Sequence, residues 1–357
     1  MMVKKKICSA DGRLTIPYDE VTHVCITPSI HALLQYLLLF DKDTVANHTA
    51  YFLGYAVPTE VASHLAAVRV SFGQTGEKMS LRRALCKFRD RLLCGWKFPF
   101  IKSAQVFAFD VGFAPSFIGK CKYALLSDGP LGISQNMQLK SVEYQRQLKR
   151  SHTLRGKMEE LLYGPVAVFG WGNNPQCTAF YLTEENDAVV FKDKPVYIKS
   201  MERMWADASS ESRAFVKHVF SVGKDDISLL SSRHCMFLTQ PMVDDQILSE
   251  SEYVDILKKI FHCYGEENLL LKLHPRDRFD YRKYFPQVAI YDKKVNMQLL
   301  VLLGASVDRA ITICSSSINS FPESVEADWY GSDIHPRLKA HFGKMVPPYR
   351  KYNQMAL

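Results

Sequence analysis

Residues 23–29 read His-Val-Cys-Ile-Thr-Pro-Ser, a short β-branched run cut off by a proline and a helix-capping serine. Pro28 stops the strand because it has no N–H to donate, and Ser29 is an N-cap residue type. Apolar residues then recur at Ala32, Leu33, Tyr36, Leu37 and Phe40, the spacing of one helix face. Strand, tight turn and helix in succession open an α/β domain. The pattern continues with short apolar strands expected at 51–55, 67–70, 106–109, 123–126, 166–169 and 189–191. A basic amphipathic helix is expected at 81–93, and a solvated helical excursion or loop at 138–155.

The stretch 204–226 turns helical and then polar, which places a domain boundary near Gly223. The rhythm then restarts with a strand at 235–238. Ser249 and Glu252 form a capping box, and Val254, Leu257, Phe261 and Tyr264 share a helical face that Gly265 ends. Strands at 269–273, 288–291 and 309–314 follow, with an apolar helix at 297–303 between the last two. A chain of 357 residues, 47% hydrophobic, has enough apolar surface for two cores. The expected organisation is two Rossmann-like domains, 1–223 and 224–330, and a tail, 331–357, that packs back on the first. Such domains bind ligands at the carboxyl ends of their strands, in a cleft.

Composition narrows the function classes. A formal charge of +8 suits anionic partners such as nucleotides, acidic glycans or an anionic membrane surface. No basic face carries aromatic stacking platforms, so nucleic acid is not an expected partner. None of the 9 cysteines stands in CxxC spacing; they read as reduced thiols of a cytoplasmic protein, not as a disulfide framework or zinc site. The first six residues are charged and lead into no apolar run, so no signal peptide is expected, and the longest apolar segment, 32–40, is too short to span a bilayer. The expected location is the cytoplasm, with a peripheral place at the inner membrane if the basic helix 81–93 and Arg337, Lys339, Lys344, Arg350 and Lys351 meet anionic lipid. A solvated helix face is the plainer reading of those charges. The absence of GxGxxG, Walker, HExxH and GxSxG motifs lowers dehydrogenase, NTPase, metalloprotease and hydrolase readings.

Three strand ends carry candidate chemistry. His274 ends the most apolar strand of the second half, and Pro275 fixes the turn that holds it there. An imidazole in that place can donate to a phosphate or a leaving oxygen, with Arg276 beside it. The tripeptide alone is weak, because His335-Pro336-Arg337 repeats it without a buried strand before it. Ser315-Ser316-Ser317 follow the strand at 309–314 and are expected to open a helix, where hydroxyls and free N–H groups receive anions. Asp128, before Gly129, ends the strand at 123–126 and is a candidate base for an acceptor hydroxyl, with Asp110 in reserve. A plain Asp-Gly turn is its rival reading. Asp244 and Asp245 are candidates to line the cleft, and Asp41-Lys42-Asp43 reads as a solvated loop in preference to a metal site.

The order of these elements resembles the bacterial GT-B-type sialyltransferases, in particular the lipooligosaccharide sialyltransferase and polysialyltransferase families (glycosyltransferase families 52 and 38). The likeness spans roughly residues 20–325 and rests on Thr27-Pro28, Ser127-Asp128-Gly129, His274-Pro275 and Ser315-Ser316. It implies inverting, metal-independent transfer of sialic acid from CMP-sialic acid to a hydroxyl of a cell-surface glycan: lipooligosaccharide, O-antigen or capsule. The partners implied are a nucleotide sugar and a glycan acceptor, with no cofactor and no metal; no oligomeric state is implied. His274 would stabilise the departing CMP phosphate, with Pro275, Arg276, Gln298, Ser315, Ser316 and Ser317 at the donor, and Asp128 would be the base. Two positions depart from the family: Ser127 stands where its first acidic residue is expected, and Gln298 where a ribose-binding Glu is. Transfer from another CMP- or CDP-activated donor, such as a CMP-linked acidic sugar or CDP-glycerol, is the neighbouring reading; an α/β binding protein without turnover is the distant one.

Overall fold

The computed structural model describes residues 6–8, 15–70, 97–110, 121–128, 142–163, 172, 176–184, 194–343, 345 and 352–357. The chain divides into two compact units, Met1–Ser221 and Val222–Leu357. The division falls just before Gly223. Residues 331–357 do not form a separate tail; they belong to the second unit, where their last strand joins the sheet. The strands expected at 166–169 and 189–191, the basic helix 81–93, Gly129, Lys344, Arg350 and Lys351 lie outside the described residues.

In the first unit, β1 (Lys6–Cys8) and β2 (Thr15–Pro17) pair antiparallel. The main sheet has seven parallel strands: β3 (His23–Thr27), β4 (Thr49–Gly54), β5 (Val68–Val70), β6 (Gln105–Ala108), β7 (Tyr123–Leu126), β8 (Cys177–Leu182) and β9 (Val196–Ile198). Their order is β5-β4-β3-β6-β7-β8-β9. Every residue of β4 is buried, as expected of a parallel strand covered on both faces. The turn at Thr27-Pro28-Ser29 forms as its residue types require. Ser29 caps the helix Ile30–Leu39, whose residues from Ala32 to Leu38 are all buried. A run buried on every side marks a helix enclosed by protein, not one with a wet face.

The second unit is a parallel sheet of β10 (Cys235–Leu238), β11 (Leu269–Lys272), β12 (Ala289–Tyr291), β13 (Arg309–Thr312), β14 (Glu326–Trp329) and β15 (Asn353–Gln354). Its order is β12-β11-β10-β13-β14-β15. Counted from its own first strand, that is 3-2-1-4-5-6, the Rossmann order, and the first unit repeats it with a seventh strand added. The capping box at Ser249 and Glu252 is present at the start of the helix Glu250–Tyr264. Val254, Leu257 and Phe261 face the core with Phe237, Leu271 and Ile311. Gly265 ends that helix at φ 78°, and a Cβ there would sit 2.6 Å from Glu267 Oε1.

Cys25, Cys121, Cys177, Cys235, Cys263 and Cys314 are unpaired, and burial holds the Cys25 thiol well above its ordinary pKa. Cys263 is exposed on the surface. No described helix is long and apolar enough to cross a membrane.

Candidate active site

In the second unit the strand order reverses between β10 and β13, and a doubly wound sheet binds its ligand at such a point. Leu238 of β10 is level with Lys272 on one side and Thr312 on the other. His274 lies two residues beyond Lys272, and Ser315 lies three beyond Thr312. Both therefore emerge at the carboxyl edge, from the two strands that flank β10, which lie two strand spacings or about 10 Å apart. Threonines at the strand ends tie the edge together. The His274 N–H donates to Thr239 Oγ1 at 2.9 Å. Thr312 Oγ1 donates to the Leu238 carbonyl at 3.1 Å and accepts the Ser315 N–H at 2.9 Å.

The His274 ring has a defined tautomer. Its Nδ1 lies 3.2 Å from the Arg276 amide nitrogen, and a backbone amide can only donate, so Nδ1 accepts and Nε2 carries the proton. Burial pushes its pKa down from 6.5 to about 4, helped by the positive charges of Arg276 and Lys272 and opposed by Asp245. At neutral pH His274 is thus an uncharged N–H donor. Pro275 sits in a turn closed by the Asp277 N–H on the His274 carbonyl at 2.9 Å.

The residues around that turn are largely committed. Arg276 is exposed and pairs with Asp245 at 2.8 Å, and Asp244 accepts the Arg278 N–H at 2.8 Å. Asp244 and Asp245, read from the sequence as cleft residues, brace the His274 turn. Asp277 takes the Tyr281 hydroxyl at 2.7 Å. Its carboxyl is pushed up by burial. Lys272 is buried, with Nζ on the carbonyls of Leu273 and Lys293 at 2.9 and 3.1 Å. Burial lowers its pKa to about 8. It ties the segment after β12 to the strand that carries His274.

Ser315 caps Ser316–Ser320, a 3-10 turn of five residues where the sequence led to a helix. So short an element sums little dipole, and the Ser315 hydroxyl already accepts the Ser317 N–H at 3.4 Å. Anion contacts here would rest on the hydroxyls of Ser316 and Ser317, which are exposed. Gln298 lies in the first turn of the helix Met297–Leu302, with its N–H on Asn296 Oδ1 at 2.7 Å.

In the first unit, Asp128 is exposed two residues past β7. The Ser29 hydroxyl donates to its Oδ1 in a short hydrogen bond. His31, in the first turn of the same helix, is half-buried; desolvation lowers its pKa and the charge of Asp128 opposes that. Gln35, also buried, accepts the Ser127 N–H at 2.9 Å and donates to the Tyr181 carbonyl at 3.0 Å. This fixes the end of β7 against both the helix and β8. Asp110, the reserve base, is fully buried, with the Tyr123 hydroxyl at 2.6 Å and the Gly172 N–H at 3.0 Å on its carboxylate. It is a structural acceptor. Asp41 caps the helix Lys42–Asn47 through the Thr44 N–H at 2.9 Å, so the Asp-Lys-Asp segment is a helix start and not a loop.

Thr239 was not singled out from the sequence, and Ser29 only as a helix cap; His31 and Asp277 were not singled out either. The signal for the first two was a hydroxyl residue next to a strand end, which has force only once the strand order is known.

Two Rossmann-like units of this order define the GT-B architecture of nucleotide-sugar enzymes. The chain matches glycosyltransferase family 52 over residues 105–338, well over half its length, and belongs to that family. It is therefore an enzyme of glycosyl transfer, and the reading of a scaffold without turnover is set aside. An uncharacterized protein of Haemophilus influenzae is 30% identical over 230 residues, 64% of this chain and 68% of that one. Among solved structures, a 2,6-sialyltransferase of Photobacterium sp. JT-ISH-224, in complex with CMP and lactose, is similar in fold. It has a TM-score of 0.55 and 11% identity over 86% of this chain and 71% of that one. A sialyltransferase from Photobacterium damsela has a TM-score of 0.48 and 11% identity over 92% and 81% of the two chains.

Proposed function

We propose that this glycosyltransferase moves sialic acid from CMP-sialic acid to a hydroxyl of a cell-surface glycan, with inversion and without a metal. The observation that carries the reading is the neutral His274 ring, its Nε2 proton fixed by the bond at Nδ1, at the switch point of the second sheet. The family and the CMP held by the Photobacterium fold relative support it.

In the proposed reaction the acceptor oxygen bonds to the anomeric carbon of the donor as the bond from that carbon to the CMP phosphate oxygen breaks. The electron pair leaves on CMP, and the acceptor's proton passes to Asp128. A phosphate monoester is already a good leaving group, so the protein has only to stabilise its growing charge. An N–H from His274 and hydroxyls from Ser316 and Ser317 do that. A ring with its pKa at about 4 serves by donating a hydrogen bond; full protonation is not needed. The remaining donor-side residues, Pro275, Arg276, Gln298 and Ser315, hold the edge on which the nucleotide lies.

The test is to incubate the protein with CMP-sialic acid and lactose and to look for sialyl-lactose and CMP. Their appearance in equal amounts is expected. No product and no donor hydrolysis, together with turnover of a different CMP- or CDP-activated donor, would replace sialic acid in the reading. Gln298, in place of an acidic ribose contact, is the residue that favours that second donor class.

A further inference from the structure

The Thr27-Pro28-Ser29 turn serves the fold as a strand end and a helix cap, yet its serine also reaches a residue 99 positions away. Ser29 Oγ accepts the N–H groups of His31 at 3.1 Å and Ala32 at 3.2 Å, which occupies both of its lone pairs. Its own N–H is anchored on the buried Thr27 hydroxyl at 2.9 Å. A hydroxyl so placed has one proton left and one direction for it, toward Oδ1 of Asp128.

We propose that Ser29 is the positioning residue of Asp128: it fills Oδ1 and leaves Oδ2 to receive the acceptor's proton. The proposal rests on the reading of Asp128 as the base. Asp128 is exposed at a strand end, and the last torsion of an Asp side chain is broad and two-fold, so an unheld carboxylate turns freely. Among the described residues, no hydrogen bond other than that of Ser29 fixes it. The helix start thereby sets the angle of a group on a different strand. The proton balance is unchanged: as the new carbon–oxygen bond forms and CMP departs, the acceptor's proton lands on Oδ2 and is later lost to solvent.

Ser29→Gly removes the hydroxyl but keeps a residue type that caps helices well, and Ser29→Thr keeps both hydroxyl and cap. Rates with CMP-sialic acid and lactose are compared in the native and the Asp128→Asn backgrounds. Ser29→Gly is expected to lower kcat about 10- to 100-fold, the loss of one hydrogen bond to a charged group. The donor KM should stay within about twofold, Ser29→Thr should recover most of the rate, and Ser29→Gly should cost nothing more in Asp128→Asn. An unchanged kcat, or the same loss in both backgrounds, would overturn the proposal. If the wild-type protein transfers nothing from CMP-sialic acid, the functional reading fails on its own. The contact is then read from urea midpoints of wild type, Ser29→Gly, Asp128→Asn and the double variant, where coupling between the two sites supports the pair and strict additivity overturns it.

Discussion

In both His-Pro-Arg segments the ring Nδ1 accepts the amide N–H two residues on, at 3.2 Å in His274 and 3.3 Å in His335. In both, the arginine pairs with a carboxylate, Arg276 with Asp245 and Arg337 with Glu252, each at 2.8 Å. The difference lies in what surrounds them. His335 caps the helix Pro336–Phe342, and its Nε2 faces Glu252 at 3.8 Å. His274 stands at the carboxyl edge beside the central strand, with its own N–H on Thr239. No hydrogen bond occupies its Nε2 among the described residues. The tripeptide sets the tautomer; the sheet decides whether the remaining proton is left without a described partner or faces a neighbouring carboxylate.

That contrast breaks most sharply in turnover. His274→Ala should lower kcat by about 100-fold or more, the usual range for a donor to a leaving group, and should weaken donor binding less. His335→Ala should leave kcat within about threefold in the same assay. Equal losses would erase the distinction.

Stability should show the reverse order. His335→Ala removes a helix cap and should lower unfolding free energy by about 1 kcal/mol in urea. A smaller effect separates the two by pH. The folded pKa of His274 is about 4 and its ordinary value is 6.5, so between these pH values the unfolded chain binds a proton that the folded chain does not. Stability from this group is fully present above pH 6.5 and is lost as pH falls toward 4. His274→Gln should therefore lose less stability than wild type between about pH 7.5 and 5, measured as urea midpoints. An identical loss would show that the ring is not buried as described.

Much of this organisation was legible in the chain. The run Leu269–Lys272 is fully buried and reads as a strand without its neighbours, and Ser249 with Glu252 announces a helix start. Less legible was β8, Cys177–Leu182, where exposed Thr178 and half-buried Ala179 and Tyr181 blur the pattern of a covered strand. The three-residue β9 is too short for any period to show. Asp110 and Asp128 look alike in sequence, each just past an apolar strand. What separates them is the Tyr123 hydroxyl and the Gly172 amide around one, and Ser29 beside the other. Contacts 62 and 99 residues apart leave no mark on local pattern. The same holds for Thr239, whose role depends on β10 lying between β11 and β13.

The central claim is that the second unit receives a CMP-activated donor at His274. The most direct measurement is the melting temperature with CMP, CDP and UDP, in wild type, His335→Ala and His274→Ala. A ligand at about 100 times its Kd adds about 2.7 kcal/mol to native stability, enough for a shift of several degrees. The account predicts that CMP raises Tm strongly in wild type and His335→Ala and less in His274→Ala, with UDP weaker throughout. No shift with CMP, or the same shift in all three proteins, would contradict it.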